Sequence, residues 1–399
     1  MNITAINREG QVTLTLSGRL DTAAAAQTAA EIDRQLAAFG TVSSLTLDIA
    51  SVDYISSSGL RIMLTLAKRY KNFRVVEAQP AVFDVLTVTG FSKLMPVEKA
   101  MRRMSVDGCK IIGRGGVGVV YCIDDDTIIK VFREGTTLTE VQTEITLAKE
   151  AFVLGMPTAI SFDIVRVGSQ YGLVYELLRA DTLSACIKRN PERIDEFARS
   201  YAHLFRTLHA IEVPPTGNSI PDAMKREREA IRHISRYFDS ASIDLLLRIT
   251  DSIPKGNRLL HCDLQTKNAM LQGDELMLID MGEVGYGHPL LDLSHAYSAM
   301  MTLVGDFDSI IGMPKALAND VWTRMIGYYF EGEPADVVAH RVEQIAAASV
   351  VRNFSWLSLS DTFPDEVIRE CQQLFTERVA NRKDYLLSVC ETFGDWSLS

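Results

Sequence analysis

The stretch Leu259-Leu260-His261-Cys262-Asp263-Leu264-Gln265-Thr266-Lys267-Asn268, followed by Leu278-Ile279-Asp280-Met281-Gly282, places a carboxylate (Asp263), an amide (Asn268) and a second carboxylate (Asp280) close together in sequence. One carboxylate to accept a proton and two oxygen ligands for a hard cation are what is needed to hold a Mg²⁺-nucleotide and orient a hydroxyl for phosphoryl transfer. The spacing is H-x-D-x-x-x-x-N and then D-x-G, with Asp280 emerging from an apolar, strand-like run.

Such a site needs elements upstream to hold the nucleotide. Ile111-Ile112-Gly113-Arg114-Gly115-Gly116-Val117-Gly118 contains G-x-G-x-x-G at Gly113, Gly115 and Gly118, a pattern shared by dinucleotide-binding turns and kinase nucleotide loops. A dinucleotide fold requires a helix directly after the glycines and an acidic residue on the next strand. Here Val117, Val119, Val120 and Tyr121 favour a strand instead, Asp124-Asp125-Asp126-Thr127 a hairpin turn, and residues 127–132 a third strand carrying one lysine, Lys130. Glycine loop, hairpin and lysine strand follow one another in the kinase order. Glycines let the backbone approach phosphates, and Lys130 would supply a point charge to the α and β groups. Residues 139–154 read as a helix ended by Gly155-Met156-Pro157, with Glu140, Glu144 and Glu150 as acids able to pair with Lys130. Strands at 164–167 and 173–178 flank a turn at Gly168-Ser169-Gln170.

Downstream the pattern is mostly helical. Residues 197–211 form a core helix closed by His209, whose expected role is to satisfy buried backbone; 222–238 form a long charged helix in which 225–229 are expected to be a solvated face. The region from Pro314 onward carries no readable motif.

The first hundred residues form a separate pattern. Residues 11–18 alternate as a half-buried strand, 22–39 are helical with Gly40 as a C′ cap, 45–49 are a buried strand, 60–70 an amphipathic helix, 73–76 a strand and 82–88 a helix. The order β, α, β, α, β, α implies a small sheet with helices packed against it. Ser56, Ser57 and Ser58 precede a helix expected to begin around Leu60, where they can cap free N–H groups and tolerate an added dianion. The charged stretch from 97 to 107 marks the domain boundary.

Composition narrows the alternatives. The chain has 399 residues, 47% hydrophobic and 23% charged, with scattered glycines and prolines, so it is long enough for two or three folded domains. A formal net charge of −10 without a basic stripe argues against nucleic-acid binding. No run approaches the length of a membrane span, and the polar start lacks the core of a signal peptide. The six cysteines lie far apart, without metal-ligand spacing, which points to the reduced cytoplasm.

Two resemblances follow from these residues. The H-x-D-x-x-x-x-N and D-x-G motifs, with the upstream order, resemble the protein-kinase-like superfamily, and its small-molecule branch of aminoglycoside phosphotransferases and choline kinases in particular. There is no A-P-E stretch, Gln265 stands where protein kinases place lysine, and Gly287-His288-Pro289 followed by Asp292 is similar to the phosphotransferase pattern. Thr266-Lys267 stands where phosphotransferases often have Pro-Gly. The resemblance implies ATP and Mg²⁺ as cofactors, Asp263 as base or hydroxyl-orienting residue, Asn268 and Asp280 as Mg²⁺ ligands, and His261 as a brace. It further implies Lys130 with Glu144 as the phosphate-positioning pair (Glu140 being the alternative), Gly113 to Gly118 as phosphate cover, and Glu176 and Leu177 as hinge residues able to contact adenine through their backbone. The acceptor would be a small molecule. Gly18-Arg19-Leu20-Asp21-Thr22 and Asp48 through Leu60 resemble the STAS family of anti-sigma factor antagonists, which implies a protein partner and a phosphorylated serine at Ser57, although Ser56 stands where that family usually has Asp.

The expected architecture is α/β plus α+β: a small STAS-type sheet-and-helix domain over 1–105, then a two-lobed protein-kinase-like domain with its glycine-loop lobe at 106–178 and a mostly helical lobe at 179–399. The function implied is ATP-dependent phosphorylation of a small-molecule hydroxyl with a regulatory STAS domain. The alternatives are phosphorylation of the chain's own STAS serine, or an adaptor whose kinase fold only senses nucleotide.

Overall fold

The computed structural model describes residues 1–303, 307–359 and 362–396. The chain divides into two compact units, Met1–Met104 and Ser105–Ser399.

In the first unit, strands Asn2–Arg8, Gln11–Leu20, Ser44–Ile55, Phe73–Ala78 and Val97–Lys99 form one sheet in that order. Alternation decides which side is core: Val12, Leu14 and Leu16 and, on the next strand, Leu45, Leu47 and Ile49 are all buried. The first strand is absent from the sequence reading. Its residues are exposed or half-buried at the sheet edge, and it is joined to the second by Glu9 and Gly10, both at positive φ (53° and 84°), as a two-residue hairpin turn requires. The remaining pairs are parallel. Helix Thr22–Ala37 is capped by Asp21, which accepts from Ala24 N at 2.9 Å, and buries Ala25, Thr28, Ile32 and Leu36 at helical spacing. Its C-cap is Ala38, so Gly40 (φ 68°) lies one residue beyond the C′ position expected of it.

The second unit opens with antiparallel strands Lys110–Arg114, Gly118–Cys122 and Thr127–Phe132, joined by Ser161–Val167 and Gln170–Glu176. The lysine strand is internal: Lys130 pairs with Val120 on one side and Leu173 on the other, which fixes the height of its side chain. Helix Leu138–Val153 starts with a capping box in which Thr137 Oγ1 accepts from Glu140 N and Glu140 Oε2 accepts from Thr137 N at 2.6 Å. Glu140 is thereby committed to the helix end. Glu144, one turn on, lies in the buried stripe with Val141, Ile145 and Ala148.

The larger part of the unit packs helices Ile194–Ala210, Pro289–Tyr297, Lys315–Tyr329 and Ala335–Ser349, among others, around an apolar core. Two small antiparallel pairs interrupt them: Arg258–Leu260 with Gly285–Gly287, and Ala269–Gln272 with Glu275–Leu278. The segment 261–268 crosses from the first pair to the second, and 279–284 crosses back, so chain topology alone brings the loop and Asp280 side by side.

Helix Ala223–His233 departs from the expected solvated face. Glu227 is buried and lies 3.6 Å from His295 Nε2. Burial would push its carboxyl up, but the His295 and Arg352 charges outweigh that and bring it to about 2.

Candidate active site

The loop 261–268 is held by side chains that arrive from elsewhere. Asp292, fully buried in the first turn of Pro289–Tyr297, accepts from His261 N at 3.1 Å on one oxygen and from Cys262 N at 2.7 Å on the other. This anchors Cys262 at φ 61°, a left-handed conformation unfavourable for a residue with a Cβ. Burial pushes the Asp292 carboxyl up, yet His209 and these N–H donors hold it below the ordinary range. His209 does not satisfy backbone, as its sequence suggested: Nε2 is 3.3 Å from Asp292 Oδ2 and Nδ1 is 2.8 Å from the Tyr329 hydroxyl. Tyr201 donates to Leu264 O at 2.6 Å from beneath the loop.

His261 links the two crossing segments. Its Nδ1 accepts from Asp263 N at 3.3 Å, which leaves Nε2–H to donate to Ile279 O at 3.1 Å, while Ile279 N donates to Asn268 O at 2.9 Å. Asp280 is therefore fixed by a neighbour whose N–H and C=O are both tied to the loop, and it takes φ 65°. His261 is a brace here.

Asp263 accepts from Asn268 Nδ2 at 2.8 Å and from Gln265 Nε2 at 3.0 and 3.1 Å on its two oxygens. Because the Asn268 nitrogen also donates to Asp263 O at 2.9 Å, its Oδ1 is the end left for a cation. Burial is the largest influence on the Asp263 carboxyl and raises it; the Arg352 charge and the Gln265 bond only partly oppose this.

Lys130 Nζ lies 2.8 Å from Glu144 Oε1 and 3.0 Å from Asp280 Oδ1. Glu144 Oε1 also accepts from the Tyr175 hydroxyl at 2.8 Å, a contact the sequence gave no sign of. Burial pushes the ammonium down, and the Asp280 and Glu144 carboxylates more than offset it, so Lys130 stays cationic. Asn268 and Asp280 offer hard oxygen donors and fit the divalent cation that accompanies a nucleotide.

The three glycines are not equivalent. A Cβ on Gly118 would meet Val131 O at 2.2 Å, so close strand approach demands glycine there; on Gly115 it would meet nothing within 4 Å, and on Gly113 only Val120 at ordinary contact distance. Gly118→Ala is expected to lower stability by about 1–3 kcal/mol, and Gly115→Ala by less than about 0.5 kcal/mol, in urea denaturation. Equal small losses would refute the strand-contact explanation.

Glu176 and Leu177 lie at the end of the strand beside the lysine strand. Glu176 N donates to Ile160 O at 3.0 Å and Leu177 N to Asp126 O at 2.8 Å, while Glu176 Oε1 accepts from Ile160 N. With both N–H groups engaged, any adenine contact from this pair falls to carbonyl oxygens.

The profile described as the phosphotransferase enzyme family (APH) matches residues 110–324, more than half of the chain. The chain belongs to that family. Residues 2–103 match the STAS domain, and over 101 residues the chain is 32% identical to BtrV of Bordetella bronchiseptica, described as a putative anti-sigma factor antagonist; the match covers 24% of this chain and 85% of BtrV. Among solved structures, the chain is similar to ADP-bound aminoglycoside phosphotransferase APH(2'')-Ib, at 13% identity and TM-score 0.46 over 73% of this chain and 96% of that one. It is also similar to a choline/ethanolamine kinase family protein from Mesorhizobium loti, at 14% identity and TM-score 0.45 over 71% and 92%. No helix among the described residues is long and apolar enough to cross a membrane.

In the STAS unit, the helix carrying the serines runs Ser57–Arg69, earlier than the expected start near Leu60. Only Ser56 caps it, with Oγ accepting from Gly59 N at 3.3 Å and donating to Leu20 O at 3.2 Å. Ser57, in the first turn, is exposed. Gly59 is required by packing, since a Cβ there would lie 2.7 Å from Leu20 Cγ and 2.8 Å from Ile55 Cγ1.

Proposed function

We propose that the phosphotransferase moves the γ-phosphoryl group of ATP to a hydroxyl of a small molecule, with residues 106–178 covering the nucleotide and 179–399 supplying the loop and the acceptor cavity. The observation that carries this reading is the convergence of Lys130, Glu144 and Asp280 in one ion-paired cluster, next to a loop in which Asp263 and Asn268 are bonded to each other. Lys130 would neutralise the α and β phosphates, and Asn268 and Asp280 would hold Mg²⁺, which supplies charge neutralisation on the phosphates when bound. Asp263 orients the acceptor hydroxyl and takes its proton as the new O–P bond forms; the bond from the γ-phosphorus to the bridging oxygen breaks and ADP leaves with that electron pair. Phosphoryl transfer depends on positioning and electrostatics more than covalent help, which suits a site built from braced oxygens and one ammonium.

The STAS unit is proposed as a docking or regulatory module with Ser57 as its phosphoacceptor; its exposure at a helix N-terminus supports this, because a dianion is favoured there. Titration of the full chain with Mg-ATP tests the main reading: Lys130→Met should weaken nucleotide binding at least about tenfold, a loss of ~1.4 kcal/mol, and unchanged affinity would sink it. Mass spectrometry of the same mixture decides whether Ser57 gains phosphate.

A further inference from the structure

The cavity that opens onto Asp263 narrows the identity of the acceptor, on an argument that rests on the phosphotransferase reading above. It measures about 500 Å³, room for a small organic molecule. Its ionisable lining among the described residues consists of Asp263 and Glu370 against Arg352, Arg378 and His295. Much of the rest is apolar, with Phe354 and Trp356 prominent.

The two arginines differ in what they have to spare. Arg378 donates Nη1 to Thr302 O at 2.7 Å. Arg352, in the short helix Arg352–Ser355, has no hydrogen bond or ion pair within 4 Å among the described residues; its nearest charges act through space, from Glu227, Asp263 and Glu283. After burial, Arg352 is also the largest influence on Asp263. A guanidinium presents five donors in a planar fork suited to carboxylate or phosphate. Arg352 lines both this cavity, with Asp263, and the neighbouring one that holds Glu227 and Glu283, and no hydrogen bond among the described residues commits its donors.

A polycation entering this cavity would surrender water around several ammonium groups and find one carboxylate, Glu370, once Asp263 is engaged with the hydroxyl. Arg352 would repel it. Unpaired charges taken from water are heavily penalised, whereas a single anion facing Arg352 forms a charge-assisted, two-pronged contact. We propose that the acceptor is a small hydroxylated molecule with an apolar body and one anionic group, held by Arg352 while its hydroxyl faces Asp263, and that it is not a polyamine.

ATP turnover by the full chain, measured with size-matched panels, tests this. The panels are hydroxy-carboxylates, sugar phosphates, neutral polyols and polycationic amino sugars. Turnover should be confined to one of the two anionic panels, and which one names the anion. Arg352→Gln should raise the KM for that acceptor at least about tenfold while the KM for ATP holds, with the acid limb of the kcat profile moved to higher pH as the Arg352 charge on Asp263 is lost, and Arg352→Lys should fall between. Turnover with neutral or cationic panels alone overturns the inference, as does an Arg352→Gln variant that loses kcat at unchanged acceptor KM. No turnover with any panel, while Lys130-dependent ATP binding persists, also overturns it and leaves the nucleotide reading standing. Wild-type protein that fails to bind ATP would fell the underlying reading instead.

Discussion

Asp263→Asn is expected to lower kcat by about 10²–10⁴-fold, the usual contribution of a positioned general base, with ATP affinity largely intact. The amide keeps the volume and can still accept from Gln265 or Asn268, which donate to Asp263 at 2.8–3.1 Å, so the loop should hold its shape while losing the group that takes the proton. Steady-state kinetics beside nucleotide titration separates the two effects; retained kcat would remove Asp263 from the chemistry. The pH profile gives a second readout. Because burial raises the Asp263 carboxyl, the acid limb of kcat/KM should lie above the ordinary carboxylate value of about 3.9. The linked stability effect has the opposite sign from a paired carboxylate: a raised acid binds its proton more readily in the folded state, so its contribution improves as pH falls through the folded value. In the variant both the limb and this contribution should vanish.

Asp292→Ala should produce the largest loss of stability, about 3–5 kcal/mol, as expected when a buried charge is removed from partners that stay behind. The backbone N–H groups of His261 and Cys262 would lose their acceptor inside the core, and His209 would lose one of its two contacts. Cys262 would then keep its positive φ without an acceptor for its N–H, anchored through its carbonyl to His295 Nδ1 at 2.8 Å, so activity should fall even where the variant is folded. Asp292→Asn, which can still accept one N–H, should lie between. Here the carboxyl is depressed, so its stabilisation is present above the unfolded value of about 3.9 and is lost only as pH falls through the lower folded value. Urea denaturation at neutral pH should show the full gap between wild type and Asp292→Ala, and the gap should narrow only in strong acid. A loss below about 1 kcal/mol would mean that other contacts hold the loop.

Asp263, Asn268, Asp280, Lys130 and the glycines could be proposed from the sequence because each sits at a fixed offset within a short segment, and the order of segments follows from chain connectivity. The choice of Glu144 over Glu140 was open from spacing alone; it turns on the capping box, which uses Glu140 at the helix end, and on which side of the helix meets the lysine strand. The edge strand Asn2–Arg8 was missed because it buries little, and burial is what makes alternation visible.

Other residues had no local signature. Glu227 sits in a stretch that reads as a solvated helix face and Arg352 in a region without a readable motif, and only packing puts Arg352 in one cavity lining with Asp263 and Glu227 against His295. Tyr175 reaches Glu144 through strand register, and His209 reaches Asp292 and Tyr329 across the helical core. The sequence by itself determined the two-part organisation, the family and the inventory of chemical groups, because period, order and short motifs are local properties of the chain. Tertiary structure alone decided the partners: which acid meets Lys130, what holds the loop against a strained φ, and which charge lines the acceptor cavity. Electrostatics and burial act through space, between residues that the sequence keeps far apart.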